Sequence, residues 1–118
     1  MQQIAETITS DANNAATVYL GDRLTGRVHA IKFTIGGLAN TIDLVITGET
    51  TGVAILTDSP TASEWFYPRA FANKVTDGAA FTDVTEDVRV YGERIKVVAV
   101  QCGTTGVAGT ITVYVDTE

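Results

Sequence analysis

Alternation of apolar and polar residues with a period of two constrains this chain more than any other feature of its sequence. In RVHAIKFTIG it places Ile31, Phe33 and Ile35 on one face, with Lys32 and Thr34 on the other. Similar alternation occurs in residues 41–48, 93–102 and 109–116. Successive side chains of a strand point to opposite faces, so the pattern predicts β-strands that are buried on one side. The many Thr and Val residues suit such strands, because β-branched side chains are stiff and pack well on a pleated surface.

Glycine-rich turns divide the alternating stretches into strands. The connection GETTG predicts a β-hairpin over residues 41–58, and CGTTGVAG predicts a second hairpin over residues 93–116. Weaker strands are predicted at 4–9, 16–20 and 87–92. About eight strands in total would be enough for two packed sheets.

The predicted fold is therefore all-β, an antiparallel β-sandwich of a jelly-roll-like kind. A chain of 118 residues has the length of one domain, so residues 1–118 are expected to form a single unit. The predicted core residues are Ile31, Phe33, Leu44, Ile46, Ile95, Val97, Ile111 and Val113.

Residues 58–86 interrupt the alternation. This stretch contains both prolines and five of the nine aromatic residues of the chain. A long irregular connection in a compact domain usually has a function, and so many aromatic residues are not typical of a disordered segment. We therefore predict a long, ordered connecting arm, with one short strand near residues 64–67.

Three adjacent aromatic residues lie in this arm, in the sequence SEWFYPRA. In a strand, Trp65 and Tyr67 would face one way and Phe66 the other. The rings could cap the end of the domain, or at least one could anchor a partner, since Trp, Tyr and Arg are enriched at the energetic centres of interfaces. Pro68 fixes its own φ and favours an extended Tyr67, which stiffens the arm. The predicted partner-binding residues are Trp65, Phe66, Tyr67, Arg69 and Phe71.

Charge narrows the range of partners. The net charge is −6, and the eight Lys and Arg residues are scattered without a basic run. Such a chain is repelled by phosphate backbones and anionic lipid, so neither nucleic acid nor a membrane surface is an expected partner. The first ten residues lack the basic start and apolar run of a secretion signal, and no apolar stretch is long enough for a membrane span, so we expect folding in the cytoplasm.

Few residues suit catalysis or metal binding. His29 is the only histidine, and its place in the alternation predicts a structural side chain on or near the inward face. Cys102 is the only cysteine and is predicted to be a small buried residue of a strand. One His and one Cys cannot supply a zinc site, and the acidic stretch TDVTED does not match the spacing of an EF-hand calcium site and is expected to be solvated. We therefore predict no enzymatic activity, no cofactor and no metal.

Four stretches of the chain, within about residues 14–116, carry a resemblance to a known group of proteins: TGRVHAIKF, DLVITGETTGVAIL, WFYPR and ERIKVVAVQCGTTGVAGTITVYVD. They resemble small structural proteins encoded among the virion genes of tailed bacteriophages. The most specific parts are YPR and the closing RIKVV and GTITVYVD. The resemblance implies a head decoration (cement) protein or a head–tail accessory component, and it provides no catalytic residues to transfer.

Sequence and resemblance together predict a non-enzymatic capsid decoration protein that binds and stabilises the icosahedral head. The expected partners are the major capsid protein or other virion proteins, and the expected unit is a homo-oligomer, either a dimer or a trimer. The protein would be assembled in the host cytoplasm and reside in the virion. Two alternatives stay open. One is a neck or tail accessory protein, and the other is a carbohydrate-binding β-sandwich module in which Trp65 and Tyr67 stack on sugar rings.

Overall fold

Eight β-strands make up the fold in the computed structural model, which describes residues 1–73 and 80–117 and, for residues 70–73 and 80–84, the backbone alone. The strands are β1 (Gln2–Thr9), β2 (Ala16–Thr34), β3 (Asp43–Gly48), β4 (Ala54–Asp58), β5 (Glu64–Phe66), β6 (Arg69–Asn73), β7 (Ala80–Val100) and β8 (Ala108–Thr117). The prediction of an all-β chain is confirmed. Among the described residues, no helix is long and apolar enough to cross a membrane.

Seven of the strands form one antiparallel sheet, the main sheet. Its order is β1-β8-β2-β7-β3-β4, and β5 pairs with β2 beside this path. The remaining strand, β6, pairs antiparallel with the first part of β7. This two-stranded extension, β6 with residues 80–87 of β7, overlaps part of the connecting arm predicted at residues 58–86, and from here on the arm means this extension alone.

Two long strands connect the parts of the sheet. The first part of β2 pairs with β7, and its last part pairs with β8 on one edge and β5 on the other. A bulge interrupts the pairing of β2 with β7, where Leu24 lies opposite Glu93 but Thr25 lies opposite Tyr91. The extra residue is Gly92, whose φ of 61° is in the left-handed region that glycine adopts without strain. Two further register shifts occur in β2, one between Leu20 and Leu24 in the same pairing and one between Val28 and Ala30 on the edge shared with β8.

The inward face of the main sheet supplies one hydrophobic cluster. All eight predicted core residues belong to it and are fully or almost fully buried. Among the side chains that the structure describes, Phe33 on β2 is the largest that is fully buried. The cluster also includes Ile8 of β1 and Ile55 of β4, so strands at both ends of the sheet contribute to the same core.

Strand pairing agrees with the sequence-based prediction in one hairpin and differs in the other. The predicted hairpin over residues 41–58 is confirmed as β3 and β4. The predicted hairpin over residues 93–116 is wrong, because β7 and β8 do not pair with each other; they lie on opposite edges of β2. The loop CGTTGVAG instead bonds to the connection between β1 and β2, where the Cys102 amide donates to the Asn14 carbonyl and the Gly106 amide donates to the Ser10 carbonyl.

Strand boundaries also differ in two places. The segments predicted separately at 16–20 and 27–36 belong to one strand, β2, and those at 87–92 and 93–102 belong to β7. The short strand predicted near residues 64–67 is confirmed as β5. The rest of the predicted irregular connection, residues 58–86, also contains β6 and the beginning of β7. It is therefore more regular than its composition suggested.

Candidate functional site

Strand β5 sets the orientation of the aromatic triplet. It pairs with β2 so that Phe66 lies opposite Ile31 and Trp65 lies opposite Lys32. Phe66 shares the inward face with Ile31 and packs against the core. Trp65 and Tyr67 point away from the core and are 46% and 63% exposed. The alternation predicted for the triplet is thus present, with one ring anchored and two presented to solvent.

The two outward rings belong to a larger cluster, which we call the aromatic patch: Lys32, Trp65, Tyr67 and Tyr114. The rings of Trp65 and Tyr67 are nearly parallel, with 6.5 Å between their centroids and 11° between their planes. Tyr114, from β8, approaches Trp65 with a centroid distance of 5.4 Å. The Lys32 ammonium lies 5.7 Å from the Trp65 ring centroid, within the range of a cation–π interaction. The patch is thus built from three strands of the main sheet.

Ala30 shows how closely this surface is covered. It is buried although it is not a member of the hydrophobic cluster, and its cross-strand partner is Tyr114. The next residue, Ile31, pairs with Phe66, the last residue of β5 before Tyr67. A small buried residue of β2 thus lies beside Tyr114, one of the rings of the patch.

A proline connects the patch to the arm. Only Tyr67 and Pro68 separate β5 from β6, and Pro68 is buried. Its fixed φ and missing amide favour an extended connection that needs no hydrogen-bond partner at that nitrogen. Tyr67 therefore projects from a segment with little backbone freedom.

Arg69 lies at the base of the arm and is engaged within the chain. Its guanidinium forms an ion pair with Asp87, its partner across the two strands, and donates to the Thr85 carbonyl at 3.0 Å. Asp87 also lies 3.8 Å from the Nδ1 atom of His29. These contacts hold the Arg69 guanidinium within the chain. Its predicted contact with a partner protein stays a prediction. Phe71 pairs through its backbone with Thr85, and its side chain lies outside the described part of the structure.

A shallow groove borders the patch. Its volume is about 150 Å³, and it is lined by Lys32, Phe33, Ser63, Glu64 and Trp65. This is well below the ~300 Å³ at which typical small-molecule pockets begin. The groove combines one aromatic face with an ammonium, a carboxylate and a hydroxyl, so it suits a small polar group better than a cofactor.

Tyr114 and Lys32 were not predicted as site residues. They come from strands far from the triplet in sequence, and the pairing of β2 with both β5 and β8 brings them together. A partial signal exists in the sequence, because the alternation of β8 already places Tyr114 opposite to the core residues Val113 and Val115. Which strand would lie beside it was not visible.

The two residues with catalytic potential lie in contrasting places. Cys102 is fully buried just after β7, so its burial is confirmed although it lies outside the strand. Burial raises the pKa of its thiol above the ordinary 9.0, and the negative charge of Asp11 adds to the effect. His29 is exposed, contrary to the prediction, because the bulge between Val28 and Ala30 changes which residues face the core. Across the described residues, no three His, Cys, Asp or Glu side chains form a group that could hold a metal ion.

Comparison with known proteins gives no relative for this chain. No protein-family model matches its sequence, and no curated protein or solved structure is significantly similar to it.

Proposed function

We propose that this protein is a non-enzymatic structural component of a tailed-phage particle that decorates and stabilises the icosahedral head. Two lines of support meet here: the resemblance of four stretches of its sequence to virion proteins, and the aromatic patch. The observation that carries the proposal is the exposure of Trp65, on β5, and Tyr67, just after it, while the residue between them, Phe66, packs against the core. Such an arrangement fits a docking surface on a stable domain.

The finer architecture belongs to the same proposal. We infer that the main sheet bends so that its two halves pack face to face as a jelly-roll-like β-sandwich. The support is that strands at both ends of the sheet, β1 and β4, contribute to one hydrophobic cluster. The glycine bulge at Gly92 gives a place for such a bend.

The aromatic patch has properties that favour protein docking. Its rings lie beside one another, so little side-chain freedom would be lost on binding. Burying the remaining exposed surface of Trp65 in a complementary pocket would make it an anchor. Truncating an anchor of this kind typically reduces the binding free energy by 2 kcal/mol or more, which is roughly thirtyfold in affinity.

The proposed partner is the major capsid protein, contacted by each copy of a small oligomer. Several modest contacts add up through avidity, so each one can be weak. A neck or tail position is the alternative within the virion. Copy number per particle separates the two, because a decoration protein occupies many equivalent sites on the shell and a neck component occupies a single ring.

Replacing Trp65 by Ala tests the proposal. The fraction of capsid sites that the protein occupies, measured at a limiting protein concentration, should fall. The expected decrease corresponds to an affinity for the capsid about thirtyfold lower. The free energy of unfolding should change by about 1 kcal/mol or less, because the side chain is half exposed. Tyr91→Ala is the matched control, since Tyr91 is also an exposed aromatic residue but lies outside the patch. Loss of fold together with binding would identify Trp65 as a structural cap, and unchanged occupancy would place the interface elsewhere.

Carbohydrate binding is a second candidate, favoured by the near-parallel rings of Trp65 and Tyr67. Two exposed rings in similar orientation can stack on the apolar faces of sugars, and the adjoining groove offers Lys32 and Glu64 for hydroxyl groups. Calorimetric titration of the isolated protein with oligosaccharides tests this. Saturable binding that Trp65→Ala abolishes would support it, and absence of binding at millimolar sugar would exclude it.

A further inference from the structure

A second apolar surface lies on the outer face of the sheet, away from the aromatic patch. One row of paired residues crosses four strands: Thr17 of β2, Val98 of β7, Val45 of β3 and Thr57 of β4. Val45 is 40% exposed, and Val100, two residues beyond Val98 on the same face, is 39% exposed. We call these five residues the valine face. No strand in the described part of the chain covers it.

Opposite charges lie at the two ends of the valine face. Lys96 lies two residues before Val98 on β7, and Asp43 lies opposite Val100 at the far end. Two residues of strand span about 7 Å, so each charge is about that far from the central row. Lys96 and Asp43 thus form the two ends of a short apolar strip.

Other charges lie near the lysine end of the strip. Arg94 donates to Glu49 at 2.7 Å, its guanidinium lies 4.2 Å from the centroid of the Tyr19 ring, and Asp22 is close enough to interact with it. Glu49 also interacts with Lys96. By strand position Lys96 lies two residues nearer the central row than Arg94, so the strip has a lysine at one end and an aspartate at the other.

We propose that a second copy of this chain docks on the valine face, related by a twofold axis that runs across the strands along the central row. This operation reverses the strand direction, so Val98 and Val45 meet their own counterparts. It also brings Lys96 of each copy beside Asp43 of the other. A surface with opposite charges at its two ends is complementary to itself under this rotation, as an isologous dimer requires.

The size of the surface sets the strength of the contact. Four strands spaced about 4.8 Å apart, over five residues each, give roughly 320 Å² per copy. A stable interface buries about 800 Å² per partner. The dimer is therefore weak when free in solution and gains strength where copies are held close together. The inference specifies the small oligomer of the proposed function, on which it rests in that respect, but it uses no residue of the aromatic patch. Failure of this dimer would therefore leave docking through Trp65 and Tyr67 intact, and the two can be tested apart.

Sedimentation equilibrium on the full chain, at concentrations up to about 1 mM, tests the proposal. The wild-type protein should show a reversible monomer–dimer equilibrium. Val45→Lys, Lys96→Asp and Asp43→Lys should each weaken it about tenfold or more, a loss of about 1.4 kcal/mol. The combined Lys96→Asp, Asp43→Lys variant should regain most of the affinity, because the charges again match across the axis.

Controls make the outcomes distinct. Tyr91→Lys introduces a charge at another exposed apolar position outside the valine face and should leave the equilibrium unchanged. Melting curves confirm that each variant is folded. A protein that is monomeric at every concentration, a trimer, a dimer that Val45→Lys does not weaken, or a charge exchange without recovery would each overturn the proposal.

Discussion

Thr51 holds the carboxylate of Glu93 beneath the turn between β3 and β4. Its backbone amide donates to Glu93 Oε1 at 3.0 Å and its hydroxyl donates to Oε2 at 2.8 Å, while the Thr50 amide adds a bond of 2.9 Å. Glu93 is only 3% exposed. A Cβ at Gly48 would lie 2.4 Å from Oε1, so the close approach requires glycine there. A buried carboxylate thus ties β7 to a hairpin formed by other strands.

Replacing Glu93 by Gln should destabilise the protein by about 1–3 kcal/mol at pH 7. The amide keeps only one acceptor oxygen, so donors of the turn lose their partner while staying near the interior. Urea unfolding measures the loss. Glu6→Gln, on the exposed surface of β1, is the control and should change stability by less than about 0.5 kcal/mol.

The effect of Glu93 depends on pH in a defined direction. Burial alone would raise its pKa, but the hydrogen bonds from Thr51 and Thr50 outweigh burial and hold the pKa below the ordinary 4.5. As the pH falls, Glu93 is therefore protonated at a higher pH in the unfolded chain than in the folded protein. Its stabilisation of the fold is fully present above about pH 4.5 and is lost as the pH falls through the folded pKa. The stability gap between the wild type and Glu93→Gln should narrow on acidification. A gap that is constant from pH 7 to pH 3 would contradict this assignment.

Phe33→Ala should cost about 3–5 kcal/mol, because the side chain is fully buried in the shared core and its removal leaves a cavity. Thr34→Ala, the next residue on β2 and exposed, is the matched control and should have little effect. Denaturant melts of both variants provide the comparison. A loss below 1 kcal/mol for Phe33→Ala would mean that the strand register is different.

Local alternation was enough to predict the core. Ile31, Ile95 and Ile111 were assigned from period two alone, because a buried face forces the same residue type at every second position. The same periodicity places Glu93 on the inward face with Ile95, which is a sequence signal for a buried carboxylate. Its partner Thr51 could not be identified, since no local pattern shows which turn lies above β7.

Bulges and long-range pairing explain what the sequence did not predict. His29 shares the odd-numbered pattern of Ile31, but the bulge beside it turns it outward. β7 and β8 are neighbours in sequence with a glycine-rich loop, for which a hairpin is the simplest expectation, yet β2 lies between them. Of the aromatic patch, only Trp65 and Tyr67 were predicted. Tyr114 reaches the patch because β8 pairs with β2, and that long-range pairing was not visible in the sequence.

Arg69→Ala should loosen the arm without unfolding the main sheet. Half-exposed ion pairs contribute about 1 kcal/mol or less to global stability, so the melting curve should barely change. Amide exchange should nevertheless become faster where Arg69 and Phe71 pair with β7, because the guanidinium binds both Asp87 and the Thr85 carbonyl. Arg94→Ala is the control, since it removes the ion pair with Glu49 instead. Equal protection of the arm amides in the wild type and Arg69→Ala would show that this ion pair does not hold the arm.

The thiol of Cys102 should react with alkylating reagents only when the protein opens. The side chain is fully buried. The Cys102 amide donates a hydrogen bond to the Asn14 carbonyl at 2.8 Å, and the Cys102 carbonyl accepts one from the Ala39 amide at 2.8 Å. The thiolate is the reactive form, and burial together with the charge of Asp11 raises its pKa and so disfavours it. At pH 8 the native protein should therefore react at least about a hundredfold more slowly than the urea-unfolded chain, and the rate should rise with sub-denaturing urea. Iodoacetamide labelling followed by mass spectrometry measures both rates. Prompt stoichiometric labelling of the native protein would mean that the junction between β7 and the β7–β8 loop opens readily, which is incompatible with its place in the core.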